Sequence, residues 1–246
     1  MTLGPPWPPP PFGHDEWLRR LGTLPLMEQP GAAWRYNTGS QVLGALLERA
    51  TGQPLEQVLR ERLLEPLGMV DTSFWVPAGK RNRFATAYAP DPVTGELHVL
   101  DRNDETSWWA SPPLLPNAAG WLVSTVDDLW AYASMMASGG VHRGERVLSE
   151  RSFRLMTTNG LTPEQRASAE LFLGDDGWGL GMAAPLEFGH GGFGWDGGTG
   201  TTWRTDLGRD LTGILLTQRA ATSPEPMAVY SDFWSAAAAL TRAPSR

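Results

Sequence analysis

Residues 188–206 read FGHGGFGWDGGTGTTWRTD, glycine crowded against β-branched and aromatic residues. Glycine permits φ > 0 and puts no Cβ in the way of an approaching group, so this density marks backbone brought close to something. The block Trp195-Asp196-Gly197-Gly198-Thr199-Gly200 is expected to open a strand over Thr199–Thr205. A turn at Asp206–Asp210 then joins it to a strand over Leu211–Thr217. Trp178–Met182 reads as another strand, and Met227, Tyr230, Trp234, Ala237 and Leu240 fall at the spacing of a C-terminal amphipathic helix.

Upstream the period is helical. A short helix is predicted around Asp15–Leu21, and a longer one from Ser40 with Val42, Leu43, Leu46, Leu47 and Ala50 on an inward apolar face, ended by Thr51-Gly52. A third runs from about Pro54 with Leu55, Val58, Leu59 and Leu63 inward and stops at Pro66-Leu67-Gly68. Residues 77–120 carry no sustained period and read as long loops with a hairpin near His98, while Ser124 to Asp128 opens a helix continued by Leu129, Ala133 and Met136. Ser149 caps one more, through Phe153 and Met156.

Composition excludes several classes. Of 246 residues, 41% are hydrophobic and 19% charged, enough apolar material for a real core. The net charge of −7, with arginines interleaved among acids, argues against a nucleic-acid partner. With no cysteine there are no disulfides and no thiolate metal sites, and His14, His98, His142 and His190 are scattered outside any metal-ligand spacing. No apolar run approaches the ~20 residues that span a bilayer, so no membrane partner is expected. The proline-rich start has no secretory pattern; the compartment stays open, with a cytoplasmic setting preferred. The twelve tryptophans read either as core and loop anchors or as stacking platforms.

Two local patterns remain, Trp34-Arg35-Tyr36-Asn37-Thr38-Gly39 ahead of a helix and Trp195 to Gly200 at a strand. In this order, with Pro66-Leu67-Gly68-Met69 and Gly120-Trp121-Leu122-Val123-Ser124-Thr125 between them, they resemble the β-lactamase-related serine hydrolases, which include class C β-lactamases, D-Ala-D-Ala carboxypeptidases and esterases. The resemblance runs from about Pro30 to Ala239. It implies an α/β (α+β) fold of the serine β-lactamase and penicillin-binding-protein type: over 1–246 a single incomplete domain, helical with long loops to about residue 160, then antiparallel sheet and last helix.

The family's chemistry is acyl transfer, in which a serine hydroxyl becomes nucleophilic when a nearby base takes its proton. By resemblance Tyr36 is the proton-transfer phenol, and Asn37 and Thr38 contend for the substrate-facing place that the family gives to an asparagine. Trp195, Asp196 and Gly197 occupy the place of a Lys-Thr-Gly-type motif and would wall the acyl pocket, and the Gly198 N–H would be an oxyanion donor. An indole and an acid where a cation would pair with a substrate carboxylate favour a neutral small-molecule ester. No cofactor is implied. The glycines read alternatively as serving only a tight hairpin, and Tyr36 as packing over a helix end.

The family's Ser-x-x-Lys motif is missing. Lys80 is the single lysine, and Pro77 stands where its serine would be. The resemblance therefore implies the C-terminal portion of such a hydrolase, exposing an apolar groove, inactive alone and completed by a chain that supplies the missing N-terminal segment. The contrasting expectation is a non-catalytic remnant or binding module holding a glycan or apolar ligand on its tryptophans.

Overall fold

The computed structural model describes residues 9–186, 192–221 and 227–240. Residues 188–191 of the glycine-rich block, with His190, and most of the proline-rich opening lie outside these. The chain divides into two compact units, residues 1–86 with 101–128, and residues 87–100 with 129–246.

The first unit is built from α1 (His14–Leu21), α2 (Thr38–Thr51) and α3 (Leu55–Leu59), which continues through a π-helical turn, Arg60–Leu64, into α4 (Glu65–Leu67). Gly52 and Gly68, both at φ +69°, end their helices in the left-handed conformation that only glycine adopts cheaply. Trp17, Leu55, Val58, Leu67, Phe74 and Trp109 form its core. The predicted inward face of α2 is corrected here. Leu43 and Leu46 are 50% and 58% exposed and Val42 also faces solvent, while Gln41, Gly44 and Ala45 are buried. Size, not polarity, decides which face packs: a Cβ on Gly44 would lie 2.9 Å from Ala118 Cβ and 3.2 Å from Leu55 Cδ2. The polar groups on that face are partly satisfied, since Glu48 meets His14 Nδ1 at 2.6 Å and accepts the Leu55 N–H at 2.9 Å.

In the second unit β1 (Ala87–Pro90) and β2 (Leu97–Asp101) form the expected hairpin around His98. Then come α5 (Val126–Ala137), whose first turn counts with the first unit, a small hairpin of β3 (Val141–His142) and β4 (Glu145–Arg146), α6 (Glu150–Met156), α7 (Pro163–Ala167) and α8 (Glu170–Leu173). Ser149 caps α6, its hydroxyl accepting the Ser152 N–H at 3.0 Å. The described strands β5 (Gly177–Trp178), β6 (Ala183–Ala184), β7 (Gly192–Gly197), β8 (Thr201–Asp206) and β9 (Leu211–Leu216) form one antiparallel sheet in that order, and α9 (Ala228–Leu240) closes the unit.

Residues 192–206 of the glycine-rich block are thus a hairpin, and the strand expected at Thr199–Thr205 begins at Thr201. β7 pairs with β8 from Gly192↔Asp206 to Gly197↔Thr201, and 198–200 form the turn. The alternation sorts two faces. Phe193 and Trp203 pack with Phe153 and Tyr132 on one, through edge-to-face ring contacts of 5.2–6.1 Å. On the other, Trp234 of α9 donates from Nε1 to Thr202 Oγ1 at 3.1 Å and lies over Gly213, where a Cβ would stand 2.5 Å from its ring.

Candidate functional site

Tyr36, Asn37 and Thr38 sit together at the head of α2 in the first unit. Asn37 holds φ +76°, ψ −58°, and the Thr38 N–H donates to the Tyr36 carbonyl at 3.0 Å across it, a tight γ-turn that non-glycine residues rarely make. The Asn37 carbonyl then accepts from Ser40 and Gln41, so its backbone starts the helix while its side chain makes no cap. The half-buried Tyr36 ring lies 5.8 Å from that of Trp34, and Arg35 between them is turned away to pair with Glu28. Thr38 is exposed. Trp121, in the Gly120-Trp121 step, also has positive φ, +83°. Its ring stacks on Trp109 at 4.8 Å while its carbonyl accepts from Trp109 Nε1.

Lys80 is engaged structurally. Its Nζ lies 2.7 Å from Asp71 and donates to the Val70 carbonyl at 2.7 Å, with Arg83 making a two-point pair to the same carboxylate. Arg83 first and Lys80 second hold the Asp71 carboxyl well below the usual carboxylate range.

Trp195, Asp196, Gly197 and Gly198 come together in the second unit, at the end of β7 and in the turn beyond it. Trp195 meets the edge of Trp178 at 4.8 Å. Asp196 is half-buried, with one carboxylate oxygen shielded and without a partner among the described residues and the other 3.7 Å from Arg204 Nη2. Arg204 is more tightly paired to Asp176, at 2.9 Å. The Gly197 carbonyl accepts from Tyr230 Oη at 3.1 Å and from the Gly200 N–H at 3.0 Å. Gly200 turns the hairpin at φ +93°, and a Cβ there would run into the Arg219 carbonyl. Gly198 is exposed; a Cβ on it would meet nothing within 4 Å, and its N–H donates to no acceptor among the described residues. A groove of about 380 Å³ in the same unit is lined by Arg154, Leu155, Asn159, Leu180 and the Trp178 that touches Trp195. Among the described residues no three His, Asp or Glu side chains converge to hold a metal ion. The same residues include no helix long and apolar enough to cross a membrane.

The sequence profile of the β-lactamase family matches residues 1–232. The chain belongs to the β-lactamase family. An uncharacterized protein of Mycobacterium tuberculosis is 39% identical over 233 residues, covering 85% of this chain and 55% of the relative. Esterase EstB of Burkholderia gladioli is 29% identical, again over 85% of this chain and 55% of its own length. Among solved structures, EstCE1, described as a hydrolase with promiscuous acyltransferase activity, superposes with a TM-score of 0.70 at 23% identity, covering 86% of this chain and 58% of that one. The α/β fold expected from the motifs is that of these neighbours. This β-lactamase-family chain spans about half the length of the curated relatives it matches.

Sequence reading did not single out Tyr230, Arg204, Asp176 or Trp178 for the site. Tyr230 has the spacing of a core position on α9, and only the packing of α9 against the sheet brings its hydroxyl to Gly197. Arg204 and Asp176 are distant in sequence and carry no local signal.

Proposed function

We propose that these residues form the portion of a β-lactamase-family esterase that carries the phenol, the oxyanion donor and the acyl-pocket wall, and that they work with a segment bearing the nucleophilic serine and its lysine, a motif absent from residues 1–246. The observation that carries the ester reading is the commitment of Arg204 to Asp176 and Asp196, which leaves an indole, a carboxylate and glycine where a substrate carboxylate would need a cation. A neutral ester of a small acyl group is the substrate class such a wall admits.

In this scheme Tyr36 works as its phenolate: the serine oxygen attacks the ester carbonyl and its proton passes to that phenolate oxygen. The new oxyanion accepts from the Gly198 N–H, and the departing alkoxide takes the proton back from Tyr36. Water then repeats the sequence on the acyl-serine and releases the acid. With Asn37 used by the turn, Thr38 is the residue that faces substrate, and Trp195, Asp196 and Gly197 wall the acyl group. Lys80, bound to Asp71, is no substitute for the missing amine.

The test uses a fluorophosphonate probe and an activated aryl ester. The chain alone is expected to show neither serine labelling nor turnover, and co-expression with a Ser-x-x-Lys segment from a relative should restore both. Tyr36→Phe should then reduce turnover about 10²-fold or more. Labelling of the chain by itself, or full activity in that variant, would overturn the reading.

A further inference from the structure

The peptide joining Gly197 to Gly198 has its two ends treated very differently. Its carbonyl accepts two hydrogen bonds, from Tyr230 Oη at 3.1 Å and from the Gly200 N–H at 3.0 Å. Its N–H, on exposed Gly198, has no acceptor among the described residues. The next carbonyl, that of Gly198, is also held, accepting the Ala221 N–H at 2.9 Å.

We propose that Tyr230 is a positioning residue for the Gly198 oxyanion donor: its hydroxyl fixes the plane of the Gly197–Gly198 peptide and polarises it, so that the N–H leaves the turn as a directed, strengthened donor. This rests on the assignment of Gly198 as oxyanion donor made above. A proton donated into an amide carbonyl draws density from its nitrogen, and hydrogen bonds chained through one peptide strengthen one another. An oxyanion donor is effective only when it is aimed beforehand.

The anchoring suits that task. Tyr230 is only 4% exposed, and one turn further along α9 the Trp234 indole is tied to Thr202 on β8. The phenol therefore approaches Gly197 from a helix itself tied to the neighbouring strand. Burial, with the negative charge of Asp196 adding to it, pushes the Tyr230 phenol up to about 12, so it remains a proton donor throughout the neutral range. Gly200 alone would satisfy the carbonyl. The second, buried donor is what a plain hairpin turn does not require.

The experiment is carbon and nitrogen NMR of the isotopically labelled chain, wild type against Tyr230→Phe, with 3,5-difluorotyrosine at position 230 as a second variant that keeps the ring and donates more strongly. Tyr230→Phe should move the Gly197 carbonyl carbon and the Gly198 amide proton upfield, and the fluorinated residue should move both downfield. In the chain completed by a Ser-x-x-Lys segment, Tyr230→Phe should lower kcat about three- to tenfold with KM unchanged, well short of the roughly 10²–10³-fold cost of losing an oxyanion donor outright. Resonances that stay in place in both variants overturn the proposal. So does an unchanged kcat where Gly198→Pro, which deletes the N–H, abolishes turnover. Full turnover by Gly198→Pro would instead retire the oxyanion assignment itself, while the resonance shifts still decide whether Tyr230 governs this peptide.

Discussion

Asn37 stands at φ +76° between the phenol of Tyr36 and the first helical residue, Thr38. A side chain in that conformation costs about 1–2 kcal/mol, more when β-branched and nothing for glycine, which has no Cβ but loses more chain entropy, and strain of this kind persists only where the surrounding structure imposes it. Its consequence is local: the γ-turn reverses the chain directly after Tyr36, so the ring is presented at the helix head instead of continuing its axis. Asn37→Gly should leave stability within a few tenths of a kcal/mol of wild type, and Asn37→Val should lower it by about 1–2 kcal/mol in urea unfolding. Equal losses in the two variants would show that the side chain, not the backbone angle, matters at this position. The sequence makes Tyr36 and its neighbours legible as a motif. It does not reveal the turn, because asparagine directly before a helix ordinarily signals a side-chain cap, and here that cap is absent.

The elements divide according to whether their determinants are local. The helix ends at Gly52 and Gly68, the cap at Ser149 and the hairpin at Asp206–Asp210 follow from residue types within a few positions, and all were readable. β7 was not, since Gly192, Gly194 and Gly197 give no side-chain alternation. What makes it a strand is six-residue pairing with β8, a partner found only in the fold. α2 failed in a more instructive way, because apolar spacing pointed to Val42, Leu43 and Leu46 while close approach selected the small residues opposite. Gly44→Ala separates the two effects. Helix propensity alone favours alanine by about 1 kcal/mol, but its methyl would stand 2.9 Å from Ala118 Cβ, and overpacking of that order costs about 1–3 kcal/mol. The variant should therefore be destabilised or at best unchanged in urea unfolding. A gain of the full propensity difference would mean that the α2 contact yields without strain.

For the molecule as a whole, the titrating groups set the pH range of stability. Glu16, held to about 2 by Arg19 and then Arg20, and Asp71, held lower still by Arg83 and Lys80, keep their charge in the folded chain where unfolded carboxyls near 4 take up protons. The unfolded state therefore binds more protons as pH falls below about 4, and stability is lost in that direction. Tyr132 and Tyr230 behave oppositely, burial pushing each up to about 12. Their contribution is complete below about 10, where unfolded tyrosine begins to ionise, and is lost as pH rises toward 12. Stability should therefore fall below about pH 4 and above about pH 10. Asp71, only 19% exposed at its side chain, is the carboxylate on which the acid limb most depends, because two cations meet it there. Asp71→Asn should lower the plateau by about 1–2 kcal/mol and flatten the decline between pH 5 and 3, as urea midpoints at stepped pH would show. Replacing Glu16, 34% exposed at its side chain and paired first to the 67% exposed Arg19, should change that decline less, since solvent screens its pairs more. An Asp71→Asn curve parallel to wild type through pH 3 would move the origin of acid sensitivity away from this cluster.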